Sequence, residues 1–470
     1  MGWKPDGVAD RMGDMTQDVQ SGEVTARDPS WWRISRFFVP LAVQAFSQSL
    51  TYLLVASIVS HGRLGAQEQA AFAQGNALLF LLGALGGGMI TTGMVFGRSR
   101  TGMENFHRLS LRIAGVVAVL QALVCVQPFA HITFTSMLGL EGDLARVARL
   151  TTLLGIPMQF VFFVRNRSTA LLYNEKKSGL SNMGTMARIA FTAVLAPIFV
   201  KAGLTGFFWG SVAMTLPVVA ETLIAEALSR PYRLALPDDD SCEKAPIAKQ
   251  FHFTIPLSMG GIMLSLSTVM VAVFLSRVDE GGYTLPVHYI MMGVINPLGF
   301  AAMRMQAVAI AFPPDLCSRR RLRRFCLVAG LALSAVPLLF TVPVVARWYF
   351  GSVQNLDAAG IGMATRAMAV VAVIPLLQAL RGHAEGMAAL RRRPNAIMAG
   401  QAMYLASIVI LLFSLLETRA VPGYLMGGVS VMVAIAISQL TVRAALVWND
   451  FEDSYGDPSR RAPGISGQPR

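Results

Sequence analysis

The sequence predicts an all-α polytopic membrane protein, with about twelve transmembrane helices in two parallel-repeat six-helix lobes around a central cleft. Three observations predict it. Of the 470 residues 54% are hydrophobic and only 14% are charged, which is too apolar for a soluble domain of that length. About twelve apolar stretches reach the roughly 20 residues a helix needs to cross a bilayer. The first and seventh of these, VPLAVQAFSQSLTYLLVASIVS and IPLSMGGIMLSLSTVMVAVFLS, align without a gap at an offset of 216, Pro40 on Pro256 and Ser60 on Ser276, as an internal duplication requires.

Residues 1–30 are polar, mixed in charge and free of any apolar run that could serve as a signal segment, so they are expected to form a disordered cytoplasmic tail. Trp31 and Trp32, followed by Arg33 and Arg36, form an interfacial anchor ahead of the first span. The spans of the first half are expected near 34–60, 69–97, 109–133, 146–173, 181–200 and 204–229. Those of the second half fall near 250–276, 285–312, 325–347, 361–390, 395–416 and 422–448. Gly83, Gly86, Gly87 and Gly88 in the second span, and Pro297 with Gly299 in the eighth, allow close helix approach or a local break. The longest internal loop, with its Pro237-Asp238-Asp239-Asp240-Ser241 run, separates the halves. The chain then divides into an N-lobe at 31–234, a cytoplasmic linker at 235–248, a C-lobe at 249–448 and a cytoplasmic tail at 449–470. The offset recurs at Phe96 and Phe312 and, within two residues, at Ile156-Pro157 and Ile374-Pro375. Each half has an even number of spans, so the repeats are parallel, related by an axis along the membrane normal.

The formal charge of +13 is topology information, because Lys and Arg gather in the short loops holding Arg98, Lys176, Arg230, Arg320 and Arg392. It argues for both termini in the cytoplasm and the chain in the cell (inner) membrane, and against a nucleic-acid partner. Cys125, Cys242, Cys317 and Cys326 have no metal-ligand spacing and read as free thiols. No nucleophile, metal cluster or acid-base pair marks an enzyme, and no metal or other cofactor is expected.

Charge inside spans is costly and calls for a reason. In IPLLQALRGHAEGMAALRRRP, Pro375 should bend the segment. Arg381 and Glu385 lie one turn apart, whereas His383 points about 200° away from Arg381 around the helix. An Arg-Glu pair that neutralises itself is one reading, and a cationic wall of a substrate cavity is the other. Arg165 and Arg167 in the fourth span and Arg304 in the eighth lie at comparable depth. Arg167 is close enough to the Glu175-Lys176-Lys177 loop to snorkel. Guanidiniums facing one cavity bind carboxylate or phosphate oxygens bidentately, so Arg165, Arg304, Arg381 and His383 are the candidate substrate-binding residues for a small anionic solute. Glu221 and Glu385, with Gln44 and Gln48, are candidates for gating or coupling. Buried acids are scarce, and an anion leaving a cell that is negative inside needs no coupling ion.

VPL after an interfacial Arg-Phe, GMVFGRSR, FLSR, MQAVAIAFPPD after Arg304, and above all LRGHAEGMAAL with its Arg381-x-His383-x-x-Gly386 resemble the progressive ankylosis protein family. That family belongs to the multidrug, oligosaccharidyl-lipid and polysaccharide exporter superfamily. The resemblance implies two six-helix lobes, alternating access, and export of pyrophosphate, nucleotide or citrate-like anions. Where that family has acids in its first two spans, this chain has Gln44, Ser47, Gln48 and Ser49. Alternatives are a lipid-linked oligosaccharide flippase or multidrug exporter of the same superfamily, or a non-transporting membrane regulator. The expected partners are the anionic solute and the bilayer, with the protein a monomer.

Overall fold

The computed structural model describes residues 30–138, 140–238, 245–275, 277–278, 284–313, 319–354 and 356–455. The described residues contain helices and no strand, as a bilayer requires of an open chain whose backbone groups must all be paired. Eleven helical stretches are long and apolar enough to cross a membrane, and a further helix of 30 residues, Trp31–Ser60, precedes them. We number the spans α1 (Trp31–Ser60), α2 (Ala71–Phe96), α3 (Arg100–Val124), α4 (Gly142–Asn174), α5 (Ser178–Lys201) and α6 (Phe207–Leu234). The second half comprises α7 (Ile247–Leu275), α8 (Val287–Ala311), α9 (Arg319–Thr341), α10 (Ala358–Leu390), α11 (Pro394–Thr418) and α12 (Gly423–Tyr455). The chain is an integral membrane protein.

The duplication is visible in the elements themselves. α5 and α11 start at Ser178 and Pro394, α6 and α12 at Phe207 and Gly423, and α4 and α10 end at Asn174 and Leu390. Each pair is 216 residues apart, the offset found in the sequence. The third span differs from expectation by starting at Arg100, because the Ser99 hydroxyl accepts from the Gly102 amide at 3.1 Å and caps the helix there. Its first turns, with Glu104 and Arg108, carry the helix past the apolar window that set the expected boundary. Of the four cysteines, Cys125 and Cys326 are buried free thiols, and Cys242 and Cys317 lie outside the described residues.

Four spans break, three of them where glycine or proline stands, while α8 runs unbroken through Pro297 and Gly299. α2 passes through a 3-10 turn at Ala84–Gly86 and restarts at Met89 after Gly88. In α8 the helix interrupts at Arg304, the position matched to Gly88. The second segments of α4 and α10 start at Ile156 and Ile374, placing Pro157 and Pro375 in the first turn, where the missing amide proton costs nothing. Both readings of the α2 glycines hold, since a Cβ on Gly86 would lie 2.2 Å from the Phe163 ring and one on Gly88 2.3 Å from Leu257. In α10 a Cβ on Gly386 would lie 2.6 Å from the Gln306 carbonyl oxygen. Gly386→Ala is therefore expected to cost about 1–3 kcal/mol by overpacking α10 against α8. An unchanged thermal midpoint of the detergent-solubilised variant would show that the two helices part freely.

α1 packs on α8, and α2 on α7, so each half contributes its first two spans to the contact between lobes. One buried apolar core, holding Phe37, Phe96, Phe253, Phe312 and Phe325, crosses both halves near the arginine-rich loops. Beyond it the cores are separate, one around Val55, Leu79 and Met214 and the other around Val271, Met291 and Ile408. The lobes therefore share a core at the basic end and have separate cores beyond it.

The closure repeats under the duplication. Phe37 meets Phe312 edge to face at 5.6 Å, and Phe253 meets Phe96 in the same way at 5.2 Å. The Lys176 ammonium lies 5.0 Å from the centre of the Phe312 ring, and the Arg392 guanidinium 5.1 Å from that of Phe96. Lys176 and Arg392, also 216 apart, both take a left-handed backbone, with φ of 56° and 55°, an unusual conformation for a residue with a side chain. Two matched clasps, each an aromatic pair with a cation on one ring, thus join the lobes.

Candidate functional site

In the N-lobe, Gln44 on α1, Arg165 and Tyr173 on α4, Thr185 and Arg188 on α5, and Glu221 on α6 form one buried polar network. Glu221 is its hub. One carboxylate oxygen accepts from the Thr185 hydroxyl at 2.6 Å, while the other lies 2.6 Å from Arg165 and 3.1 Å from Arg188. Gln44 donates to Thr185 at 2.7 Å and accepts from the Tyr173 hydroxyl at 2.8 Å. Two guanidiniums thus share a single carboxylate in the lobe's interior. Arg188 also lines a cavity of about 320 Å³ with Thr51, Gln159 and the α2 break at Gly83 and Ala84. The Gln159 Oε1 and the Thr51 hydroxyl there are buried with no hydrogen-bond partner among the described residues. A donor and adaptable acceptors thus converge on one space, the rest of whose wall is apolar, from Phe80, Met158 and Phe162.

The C-lobe builds the matched place differently. A cavity of about 270 Å³ is lined by Ser267, Gly299, Gln378, Tyr404 and His288. Ser267 and Gly299 are the repeat mates of Thr51 and Gly83. Arg381 is the mate of Arg165, and Tyr404 the mate of Arg188. Arg381 is fully buried, its Nε donates to Glu385 at 2.9 Å, and its guanidinium packs 5.0 Å from the centre of the Tyr404 ring. Its two terminal nitrogens have no hydrogen-bond partner among the described residues. Tyr404 thus stands between this charge and the cavity.

The residues singled out from the sequence are distributed as follows. Arg165, Glu221 and Gln44 share the N-lobe network, and Arg381 and Glu385 form the one-turn pair in the C-lobe. Arg304 sits at the α8 break, half-buried. His383 faces away from Arg381 into a separate pocket with Arg323 and Arg443. The side chain of Gln48 lies outside the described ones. Arg167 pairs with Glu226 at 2.6 Å, so it is held by an acid of α6. Sequence reasoning missed Arg188, although an arginine amid the apolar run of α5 was a signal of the same kind as Arg304. Among the described residues no group of three or more His, Cys, Asp or Glu could hold a metal.

No protein-family model matches the sequence, and no curated protein matches it. Solved structures do match. A transporter of the MOP superfamily from Pyrococcus furiosus superposes with a TM-score of 0.68 at 17% identity, covering 91% of this chain and 96% of that one. A mutant MATE transporter matches with a TM-score of 0.70 at 17% identity, covering 91% of this chain and 97% of that one. A mutant of the Vibrio cholerae MATE transporter VcmN gives 0.68 at 13% identity, over 89% and 97%. At such identities the likeness is one of fold alone, and the fold of this chain is that of the MATE transporters of the MOP superfamily.

Proposed function

We propose that the protein is an alternating-access exporter of small multivalent anions of the pyrophosphate, nucleotide or citrate type. The observation that carries this reading is the sharing of one Glu221 carboxylate by Arg165 and Arg188, with Arg188 on the wall of the N-lobe cavity. Two guanidiniums gathered on one acid, in a low-dielectric interior, favour an anion. Arg304, at the broken α8, and Arg381, behind Tyr404 with two nitrogens that have no hydrogen-bond partner among the described residues, extend the positive field toward the cleft. The arginine-rich end is assigned to the cytoplasm by the positive-inside rule, with both termini there and the chain in the inner membrane. Closure at that end makes this an outward-facing state, in which the anion leaves toward the far side. Glu385 holds Arg381, and Glu221 holds Arg165 and Arg188, so both acids serve to organise cations.

Transport is then expected to be electrogenic. For a trivalent anion a potential of about 100 mV supplies roughly 7 kcal/mol, from 2.3 kcal/mol per charge. Vesicle efflux at clamped potentials, with and without a pH gradient, tests this. Flux that ignores the potential and collapses with the proton gradient rejects the scheme.

The apolar wall from Phe80, Met158, Phe162 and Met214 favours a second reading, export of amphipathic drugs, which the MATE fold also accommodates. One fold neighbour is described as a MOP transporter whose binding pocket has reverse polarity, suggesting a different function. Uptake of pyrophosphate against that of a cationic dye by the same vesicles separates the two readings.

A further inference from the structure

Each lobe carries a cavity at the same place in the duplication, and the two walls differ in charge. Gly83 and Gly299 are mates at the offset of 216. Each is met by a glutamine from the neighbouring broken span. A Cβ on Gly83 would lie 2.2 Å from the Gln159 Nε2 of α4, and one on Gly299 would lie 3.7 Å from the Gln378 Cγ of α10. In both glutamines Oε1 is buried with no hydrogen-bond partner among the described residues. The facing wall then decides the chemistry. In the N-lobe it holds Arg188, paired with Glu221, whereas the mates of these two in the C-lobe are Tyr404 and Ile437.

The C-lobe cavity, of about 270 Å³, offers hydrogen bonds without charge. Ser267, Thr268, Asn296, Gln378 and Tyr404 bring hydroxyls and amides to it, groups that each donate and accept. Among the described residues no Asp, Glu, Lys or Arg lines it. Arg381 is fully buried, with the Tyr404 ring across its guanidinium. His288, at 6% exposure, is held against Gly427, where a Cβ would lie 2.6 Å from its Nδ1. Leu264, Met292 and Ile374 make the apolar part of the wall. Thr268, Tyr289 and Asn296 are exposed, so the cavity is open to a solute at that rim.

A charged solute entering such a space gives up its water and meets dipoles alone, which is costly. A neutral amide or hydroxyl exchanges its hydrogen bonds to water for hydrogen bonds to the wall, and an apolar body beside it is covered. The volume is near the lower end of the range of about 300–1,000 Å³ usual for ligand pockets, which suits a ligand built on one ring. We infer that the C-lobe cavity is a second ligand site, taking a small uncharged solute that joins an amide or hydroxyl to an apolar ring or chain. This site is separate from the anion site proposed for the N-lobe and does not depend on it.

The test uses full-length protein in detergent and three probes of one shape, benzamide, benzoate and benzamidinium, which differ in charge. Dissociation constants are read by saturation-transfer NMR at neutral pH. Benzamide is expected to bind, and its Kd should rise about fivefold in Gln378→Leu and in Asn296→Ala, each of which removes one hydrogen-bonding group from the wall. Arg188→Gln, which alters the N-lobe cavity, should leave benzamide binding as it is. Asn296 is exposed, so its variant keeps the test informative if Gln378→Leu does not fold. Absence of benzamide binding, or binding untouched by both C-lobe variants, overturns the assignment. So does benzoate or benzamidinium binding as tightly as benzamide and weakening in the same C-lobe variants, or benzamide binding lost in Arg188→Gln alone.

Discussion

Replacing Phe96 and Phe312 together by alanine is expected to unlock the basic end of the protein. Each ring is the centre of one clasp, meeting Phe253 or Phe37 edge to face and carrying Arg392 or Lys176 on its face. An aromatic pair contributes about 0.5–1.5 kcal/mol beyond area burial, and a cation on a ring about 0.5–1 or more. Both clasps together amount to roughly 2–5 kcal/mol, enough to move a two-state equilibrium by about thirty- to several-thousand-fold. Thr92, which is buried and meets Thr254 across the lobes at 2.9 Å, reports the change. In a background with Cys242 and Cys317 replaced by serine, Thr92→Cys should resist a water-soluble thiol reagent while the clasps are intact. It should react quickly in the double variant. Slow labelling in both would show that the wider lobe interface, and not the clasps, holds this end shut. Either single variant leaves one clasp intact and should give an intermediate rate.

The second large effect is expected at Glu221. Glu221→Gln removes the carboxylate shared by Arg165 and Arg188 and leaves two buried guanidiniums facing each other, where breaking a buried pair costs about 3–5 kcal/mol. The variant should therefore melt well below the wild type. Arg188→Gln alone leaves Arg165 paired with Glu221, so it should retain its fold and lose more than tenfold in anion flux, since the cavity loses its cation. Combining Glu221→Gln with Arg188→Gln should restore part of the lost stability without restoring flux. A fully active Arg188→Gln variant would remove Arg188 from the transport site, and an unshifted melting point for Glu221→Gln would show that the network is hydrated and open.

The broken spans follow from the same sequence features that identify the halves. Pro157 and Pro375 each stand in the first turn after the interruption of their span, and Gly88 and Arg304 occupy one matched break. Where a glycine stands in the first half, an arginine stands in the second, which gives α8 a charge at the lobe contact that α2 does not have. The two lobes share a scaffold and differ in chemistry, with Arg165, Arg188 and Glu221 in one and Arg381, Tyr404 and Glu385 in the other.

The sequence by itself determined the membrane class, the spans and their duplication, because a bilayer admits helices of one length and composition and a repeat offset survives as plain arithmetic. It also placed Arg381 and Glu385 one turn apart and His383 on the opposite bearing, since residues on one helix have geometry set by helical pitch, and left to the structure whether the two pair. What only the tertiary structure decided are contacts between residues far apart in the chain. Arg188 and Glu221 lie on different helices, Phe37 and Phe312 in different lobes, and nothing local in either segment specifies the partner. The same holds for the basic pocket. Arg323, His383 and Arg443 come from three helices, and only their packing brings the charges together.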